Sequence, residues 1–232
     1  MNLVYLYYDN PHMLAAQLDN WNSYAGVLKK LPTVIIVDDG SPNSPAAEVV
    51  QRYGCQLPIK VFRINEDIRW NFSGARNLGC SQAKGWIFLS DIDMLLPAED
   101  ARRLFEELEL DDDFFFLTQR ASYRTSQPLE RSYTTLLFHK KRFTQVGGCD
   151  EDFSGFYGKE DSEFINRLSQ VARMAYLMNV TIYAVDNKDV SDACKTGMDR
   201  NPARNIALFR KKKAAGFPKP VKSFRFTWQR VL

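Results

Sequence analysis

Five short segments rich in β-branched and aromatic residues restrict this chain more than any other feature: LVYLYY (3–8), TVIIVD (33–38), IKVFRI (59–64), WIFLSD (86–91) and FFFLTQ (114–119). Each is nearly continuous in apolar residues, so each needs cover on both faces. Between the first four lie HMLAAQLDNWNSYAGVLKK, SPAAEVVQRYG and SGARNLGCSQAKG, each with room for a crossover helix. That alternation predicts an α/β fold with a single, mostly parallel central sheet flanked by helices. Beyond residue 119 the alternation breaks. A polar insertion, RASYRTSQPLERS, leads to a strand at 133–139, a short helix and a loop ending at Gly158. Phe164, Ile165, Leu168 and Val171 then recur at helical spacing between Lys159 and Ala172, before a strand at 179–185 and a helix in NPARNIALFRKKK.

At 232 residues, one large domain is the simplest organisation. No apolar run approaches the roughly 20 residues that span a bilayer, and MNLVYLYYDN reads as a first strand rather than a signal peptide. A cytoplasmic protein is expected. Cys55, Cys80, Cys149 and Cys194 are far apart and form no CxxC pair, so reduced thiols are the default. The net charge of +3 conceals an asymmetry: residues 210–232 hold eight Lys or Arg and no acid, leaving 23 basic against 28 acidic residues elsewhere. We therefore divide the chain into a domain at 1–209 and a basic, aromatic tail at 210–232. Phe217, Phe224, Phe226 and Trp228 lie among those charges, which fits either peripheral contact with an anionic membrane or aromatics packed on the domain with charges in water. No nucleic-acid partner is expected.

In open parallel sheets ligands sit outside the carboxyl ends of the strands. Here those ends carry Asp9-Asn10, Asp38-Asp39, Asn65-Glu66-Asp67, and Asp91 with Asp93. One Asp after a strand is ordinarily a helix cap; four acidic strand ends on one rim mark a site. Strand alternation puts Asp91 and Asp93 on one side, where a hard divalent cation could bridge them. Arg76 and Asn77, in the small-residue helix start SGARNLG, suit either a diphosphate or an ion pair with a nearby Asp. Glu160 and Asp161 open a helix, where its dipole favours acids.

Three blocks, TVIIVDDGSPN, NFSGARNLGCSQAKGWIFLSDIDMLLP and GGCDEDFSGFYGKEDSEFINRL, resemble in order and spacing the successive signatures of family 2 glycosyltransferases with the GT-A fold. The last block is similar to that of β-1,4-galactosyltransferases, and the resemblance covers about residues 3–172, weakening towards 213. It implies a Rossmann-like GT-A domain that moves a sugar, with inversion, from a UDP-linked nucleotide-sugar donor to a hydroxyl of a glycan or glycoconjugate acceptor. By the same resemblance Asp39, with Asp38, recognises the nucleoside, and Arg76 lies beside the nucleotide. Asp93 holds Mn²⁺ or Mg²⁺, while Asp91 reaches the ribose or the metal. Asp161 is the base and Glu160 contacts acceptor or donor sugar, with Phe156 and Tyr157 available to stack on sugar faces.

One departure stands out. Relatives commonly supply a third metal ligand, a His, after the last strand, yet the only histidines are His12 and His139. Asp189, Asp192, Cys194 or water would have to substitute. Arg200 and Arg204 are candidates for closing over the diphosphate; the Lys run at 211–213 reads as solvated helix charge, and the acidic loop at about 186–200 as a cover for the donor. Two alternatives remain open: a non-catalytic nucleotide-sugar-binding module, and a nucleotidyltransferase. The second would want a basic, Gly-rich loop after the first strand, which YYDNPHML is not.

Overall fold

A computed structural model describes residues 1–185, 199–221 and 224–232. Four parallel strands form its centre: β1 (Asn2–Tyr7), β2 (Thr33–Asp38), β3 (Ile59–Ile64) and β4 (Trp86–Asp91), in spatial order β3-β2-β1-β4. The connecting helices are α1 (Pro11–Asn22), α2 (Ala46–Tyr53) and α3 (Phe72–Gln82). Alternate residues of β1 explain the unbroken apolar sequence. Leu3, Tyr5 and Tyr7 pack in one core with α1 and α2, whereas Val4 and Leu6 pack in a second with α3. The second core is thin: a Cβ on Gly79 of α3 would come within 2.5 Å of Val4 Cγ1 and 3.0 Å of Val37 Cγ2. The small residues of SGARNLG let α3 lie against the sheet.

Beyond β4 the sheet turns mixed. The added elements are β5 (Met94–Leu95), α4 (Ala98–Arg102), β6 (Phe114–Ser122), β7 (Leu136–His139), α5 (Lys140–Val146), α6 (Glu160–Leu168), β8 (Arg173–Ala184), α7 (Ala203–Ala214) and β9 (Trp228–Arg230). The full order is β5-β8-β6-β7-β4-β1-β2-β3-β9. β7 runs antiparallel to β4 and β6, β5 antiparallel to β8, and β9 antiparallel to β3, while β6 and β8 are parallel. The expected mostly parallel sheet is thus the core, with antiparallel strands on both flanks. β8 begins earlier than its apolar sequence suggests, because Arg173 N–H donates to Asp113 O just before β6 and starts the ladder there. Among the described residues no helix is long and apolar enough to cross a membrane.

The described residues of 210–232 pack back on the domain. α7 runs across the 209/210 boundary, Phe217 and Phe226 are buried, and Trp228 meets Phe62 edge-on at 5.8 Å as β9 extends the sheet. Asn65 Nδ2 donates to Thr227 Oγ1 at 2.8 Å, and Thr227 N–H donates to the Glu66 carboxylate.

α6 is anchored by a buried ion pair. Arg167 and Glu163, one turn apart, are essentially inaccessible; Nε and Nη2 donate to the two carboxylate oxygens at 2.6 and 2.7 Å. Nη1 donates to the carbonyls of Val146 and Gly148 at 2.8 and 2.6 Å, fixing the turn after α5. Breaking a buried pair from one side strands the other charge. Arg167→Met should therefore lower unfolding free energy by about 3–5 kcal/mol in urea titrations, and Arg167→Met with Glu163→Leu should cost less than Arg167→Met alone. A cost below about 1 kcal/mol for the single variant would remove the anchoring role.

Candidate functional site

Strand register brings the rim together. Tyr7 is level with Asp38 across β1 and β2, and Leu6 is level with Asp91 across β1 and β4. The residues just beyond, Asn10, Asp39, Asp91 and Asp93, line a cleft of about 210 Å³ with Tyr8, Trp70, Phe72, Tyr157 and Arg200. Asp91 is the last residue of β4, and Asp93 lies in the turn to β5 rather than on the strand, yet both reach this cleft. α1 and the turn after it hold that segment: Gln17 Nε2 donates to the carbonyls of Ile92 and Met94, both at 2.8 Å, and Asn20 Nδ2 and Tyr24 OH donate to Leu96 O.

Arg76 lies behind the acids, almost fully buried. Nη1 donates to Asp161 Oδ1 and Nη2 to Asp91 Oδ1 at 3.4 Å, tying the start of α6 to the end of β4. Burial opposes its charge, but Asp161 and then Asp91 outweigh burial and hold it firmly protonated. One guanidinium does not balance the carboxylates around it. Burial, with Asp93 and Asp161 nearby, pushes Asp91 up to about 7 against the pull of Arg76. Burial also raises Asp93, and burial followed by the Asp161 charge raises Glu160. Among the described residues, Asp93 Oδ1 and Glu160 Oε2 are buried without a hydrogen-bond partner. Buried carboxylate oxygens left without donors are costly, and hard oxygens beside a second carboxylate suit a divalent cation.

The other expected residues divide. Asp39 lines the cleft, its Oδ1 accepting from Asn71 Nδ2 at 3.0 Å. Asp38 is buried and serves the loop: it accepts from Ser41 and Ala46 N–H, both at 2.9 Å, and from Arg63 Nη1 at 3.2 Å. Gly40, the residue after Asp39, has φ 77°, and a Cβ there would stand 2.6 Å from Glu66 O. Tyr157 lines the cleft edge-on to Trp70 at 5.1 Å, whereas Phe156 is about half exposed beneath the Arg204 guanidinium, 4.4 Å from its ring centre. Before α6, Gly158 and Lys159 both have positive φ, 89° and 75°, an uncommon backbone for Lys that sets where Glu160 and Asp161 begin.

Lys212 departs from the solvated helix charge expected of it, bridging Asp150 at 2.7 Å and Asp152 at 2.9 Å. His139 caps α5 opposite the start of β4, at the far rim, and His12 is exposed in the first turn of α1. Asp189, Asp192 and Cys194, together with most of the expected donor cover, lie outside the described residues. A further acidic group, Asp111, Asp112 and Asp113, precedes β6 at the rim opposite the cleft; Asp112 and Asp113 pair with Arg142, and Asp112 also with Lys141. Trp70, Phe72, Gln17 and Asn71 carry no role in the reading of the sequence. Asn71 and Phe72 open the block NFSGARNLG and Trp70 immediately precedes it, which is the available clue; an internal Gln in an amphipathic helix offers none.

A model of the family described as glycosyl transferase family 2 matches residues 11–160. No curated protein sequence matches. Among solved structures, S. aureus TarS 1–349 in complex with UDP-GlcNAc superposes with a TM-score of 0.65 at 18% identity, covering 90% of this chain and 65% of that one. The mannosyltransferase PcManGT from Pyrobaculum calidifontis, in complex with GDP-Man and Mn²⁺, gives 0.59 at 14%, covering 93% and 62%. The catalytic domain of Drosophila β1,4-galactosyltransferase 7, in complex with xylobiose, gives 0.57 at 16%, covering 96% and 81%. The chain spans about three fifths of the length of the TarS and PcManGT chains it resembles. These likenesses establish a GT-A architecture, and with a family match that runs from the start of α1 to the first residue of α6, over half of the chain, the chain belongs to glycosyl transferase family 2.

Proposed function

We propose that this chain is a metal-dependent, inverting glycosyltransferase that moves a sugar from a UDP-sugar to a hydroxyl of a glycan or glycoconjugate. The observation that carries the reading is the cleft-side carboxylate of Asp93, whose buried Oδ1 lacks a partner among the described residues beside a second raised carboxylate, Asp91. Complexes of PcManGT with GDP-Man and Mn²⁺, and of GalNAc-T7 with UDP, GalNAc and Mn²⁺, support a nucleotide and a cation on this fold. Asp93 and Asp91 would hold Mn²⁺ or Mg²⁺, which when bound neutralises charge developing on the departing diphosphate. Asp39, steadied by Asn71, accepts hydrogen bonds from the nucleoside. Arg76 keeps Asp91 and Asp161 at a fixed spacing, with both Nη groups committed to carboxylates.

Asp161 takes the proton from the acceptor hydroxyl as its oxygen attacks the anomeric carbon opposite the leaving diphosphate, which inverts that carbon. Glu160 contacts the sugar or acceptor. Nucleotide release from UDP-, GDP- and dTDP-sugars, with Mn²⁺ or Mg²⁺, tests these roles. Release should need the cation and disappear in Asp93→Ala; Asp161→Asn should reduce transfer by about 10²–10⁴, the usual contribution of a general base. Tight donor binding without turnover by the wild type would favour a binding module, and absence of binding to every donor would end the glycosyltransferase reading.

Peripheral membrane contact through the tail now rests on charge alone, since Phe217 and Phe226 are buried and Phe224 and Trp228 stay about two thirds covered. Co-sedimentation with phosphatidylserine vesicles should weaken as salt rises, with each basic residue near the headgroups contributing about 1 kcal/mol. Equal binding to neutral vesicles would count against it.

A further inference from the structure

α7 grips the loop that leads into the proposed catalytic acids, and one buried residue holds its aromatic part. Asn205, in the first turn of α7, is fully inaccessible. Its Nδ2 donates to the carbonyls of Phe153 at 3.1 Å and Phe156 at 2.9 Å, spanning the turn at 153–156 from beneath. Its Oδ1 accepts from Arg204 Nη1 at 2.8 Å; the same Nη1 donates to Asp152 O at 2.6 Å, and the guanidinium covers the Phe156 ring. A single amide therefore occupies two carbonyls and orients the cation that fixes the ring. Asn alone among side chains of this size offers two donor hydrogens and an acceptor at one planar tip.

Ring and cleft are adjacent in sequence. Phe156 is about half exposed, and Tyr157, the next residue, lines the cleft against Trp70. Gly155 and Gly158, both at φ near 90°, flank the two aromatics and leave their backbone little stiffness of its own. We propose that Asn205 is a positioning residue for acceptor recognition: through the Phe153 and Phe156 carbonyls, and through Arg204, it sets an aromatic platform at Phe156 and Tyr157 on which an acceptor sugar stacks. Asn205 touches no reacting atom; Arg76, Asp91 and Asp161 are held by one another, and the turn that carries Asp93 is held by Gln17. Its removal should reach the acceptor and spare the donor. The inference rests on the glycosyltransferase reading for its substrate, though not for its geometry.

Two variants test it. Asn205→Ala removes the amide, and Asn205→Asp keeps its shape while turning the donor group into an oxygen facing two carbonyls. Hydrogen exchange should speed by about tenfold or more at residues 153–158 in both, and stay unchanged in β1–β4, as one lost buried hydrogen bond predicts. With the UDP-sugar that the wild type cleaves, hydrolysis without acceptor should remain within about twofold. KM for the best of a panel of methyl glycosides of glucose, galactose, N-acetylglucosamine and xylose should rise by about tenfold, with kcat less affected. Unchanged exchange at 153–158, an unchanged acceptor KM, or an equal loss of donor hydrolysis would overturn the proposal. A wild type that cleaves no donor would defeat the functional reading instead, and exchange alone would then decide whether Asn205 positions the loop.

Discussion

The site depends on one buried guanidinium. Arg76 reaches from α3 to Asp91 at the end of β4 and to Asp161 at the start of α6, elements between which the chain forms β5, β6 and β7. A lone cation at that depth would be costly, and so would two lone carboxylates; together they exchange separate desolvation penalties for charge-assisted hydrogen bonds. Geometry follows from that exchange. With Arg76 in place, the carboxylates of Asp91 and Asp161 keep a set relation to each other. The glycines of α3 contribute to the same end, since a side chain at Gly79 would push α3, and Arg76 with it, off the sheet.

Charge balance gives the site its direction. Asp91, Asp161 and Glu160 gather around Arg76, Asp93 lies beside Asp91 and is drawn by Arg120, and burial drives Asp91, Asp93 and Glu160 towards their neutral forms. A folded protein keeps such a surplus at one rim only at a cost in stability, and a cation or cationic ligand relieves it. The acidic run at 111–113 is the useful contrast. It is dense in carboxylate too, but Lys141 and Arg142 pair with Asp112 and Asp113 at the opposite rim, and Asp111 and Asp113 are exposed to water.

The central strands and the rim acids were legible in the sequence because both are local. Continuous apolar hexamers announce β1 to β4, and acids immediately after them fall on one edge in any right-handed βαβ arrangement. Asp93 reaches the cleft from a turn and not from the strand that alternation predicts; that turn is shaped by Gln17, Asn20 and Tyr24, whose carbonyl partners lie more than 70 positions later in the chain. Asp38 resembles Asp39 in sequence and differs only through register, which pairs it with Arg63 and leaves its neighbour to the cleft. The mixed flank was less visible, because β6 to β8 depend on pairings between segments whose apolar patterns are short or alternating.

The C-terminal segment shows why composition misleads about basic tails. Eight positive charges without an acid look like a surface for something outside the protein. Two of them instead neutralise the acidic turn at 150–152, in the loop that leads to α6: Lys212 on Asp150 and Asp152, and Arg225 on Asp152, with Arg225 N–H donating to Glu151 at 3.2 Å. Glu151 also accepts from Asn77, the residue after Arg76. The chain end is thus connected through Glu151 to the helix that carries the central guanidinium, and Phe226 packs where a side chain at Gly74 would otherwise sit. A segment that closes the fold in this way has less charge left for a partner than its sequence suggests. Any membrane attraction must come from the residues it does not spend internally, Arg210, Lys211 and Lys213 on the exposed side of α7 among them.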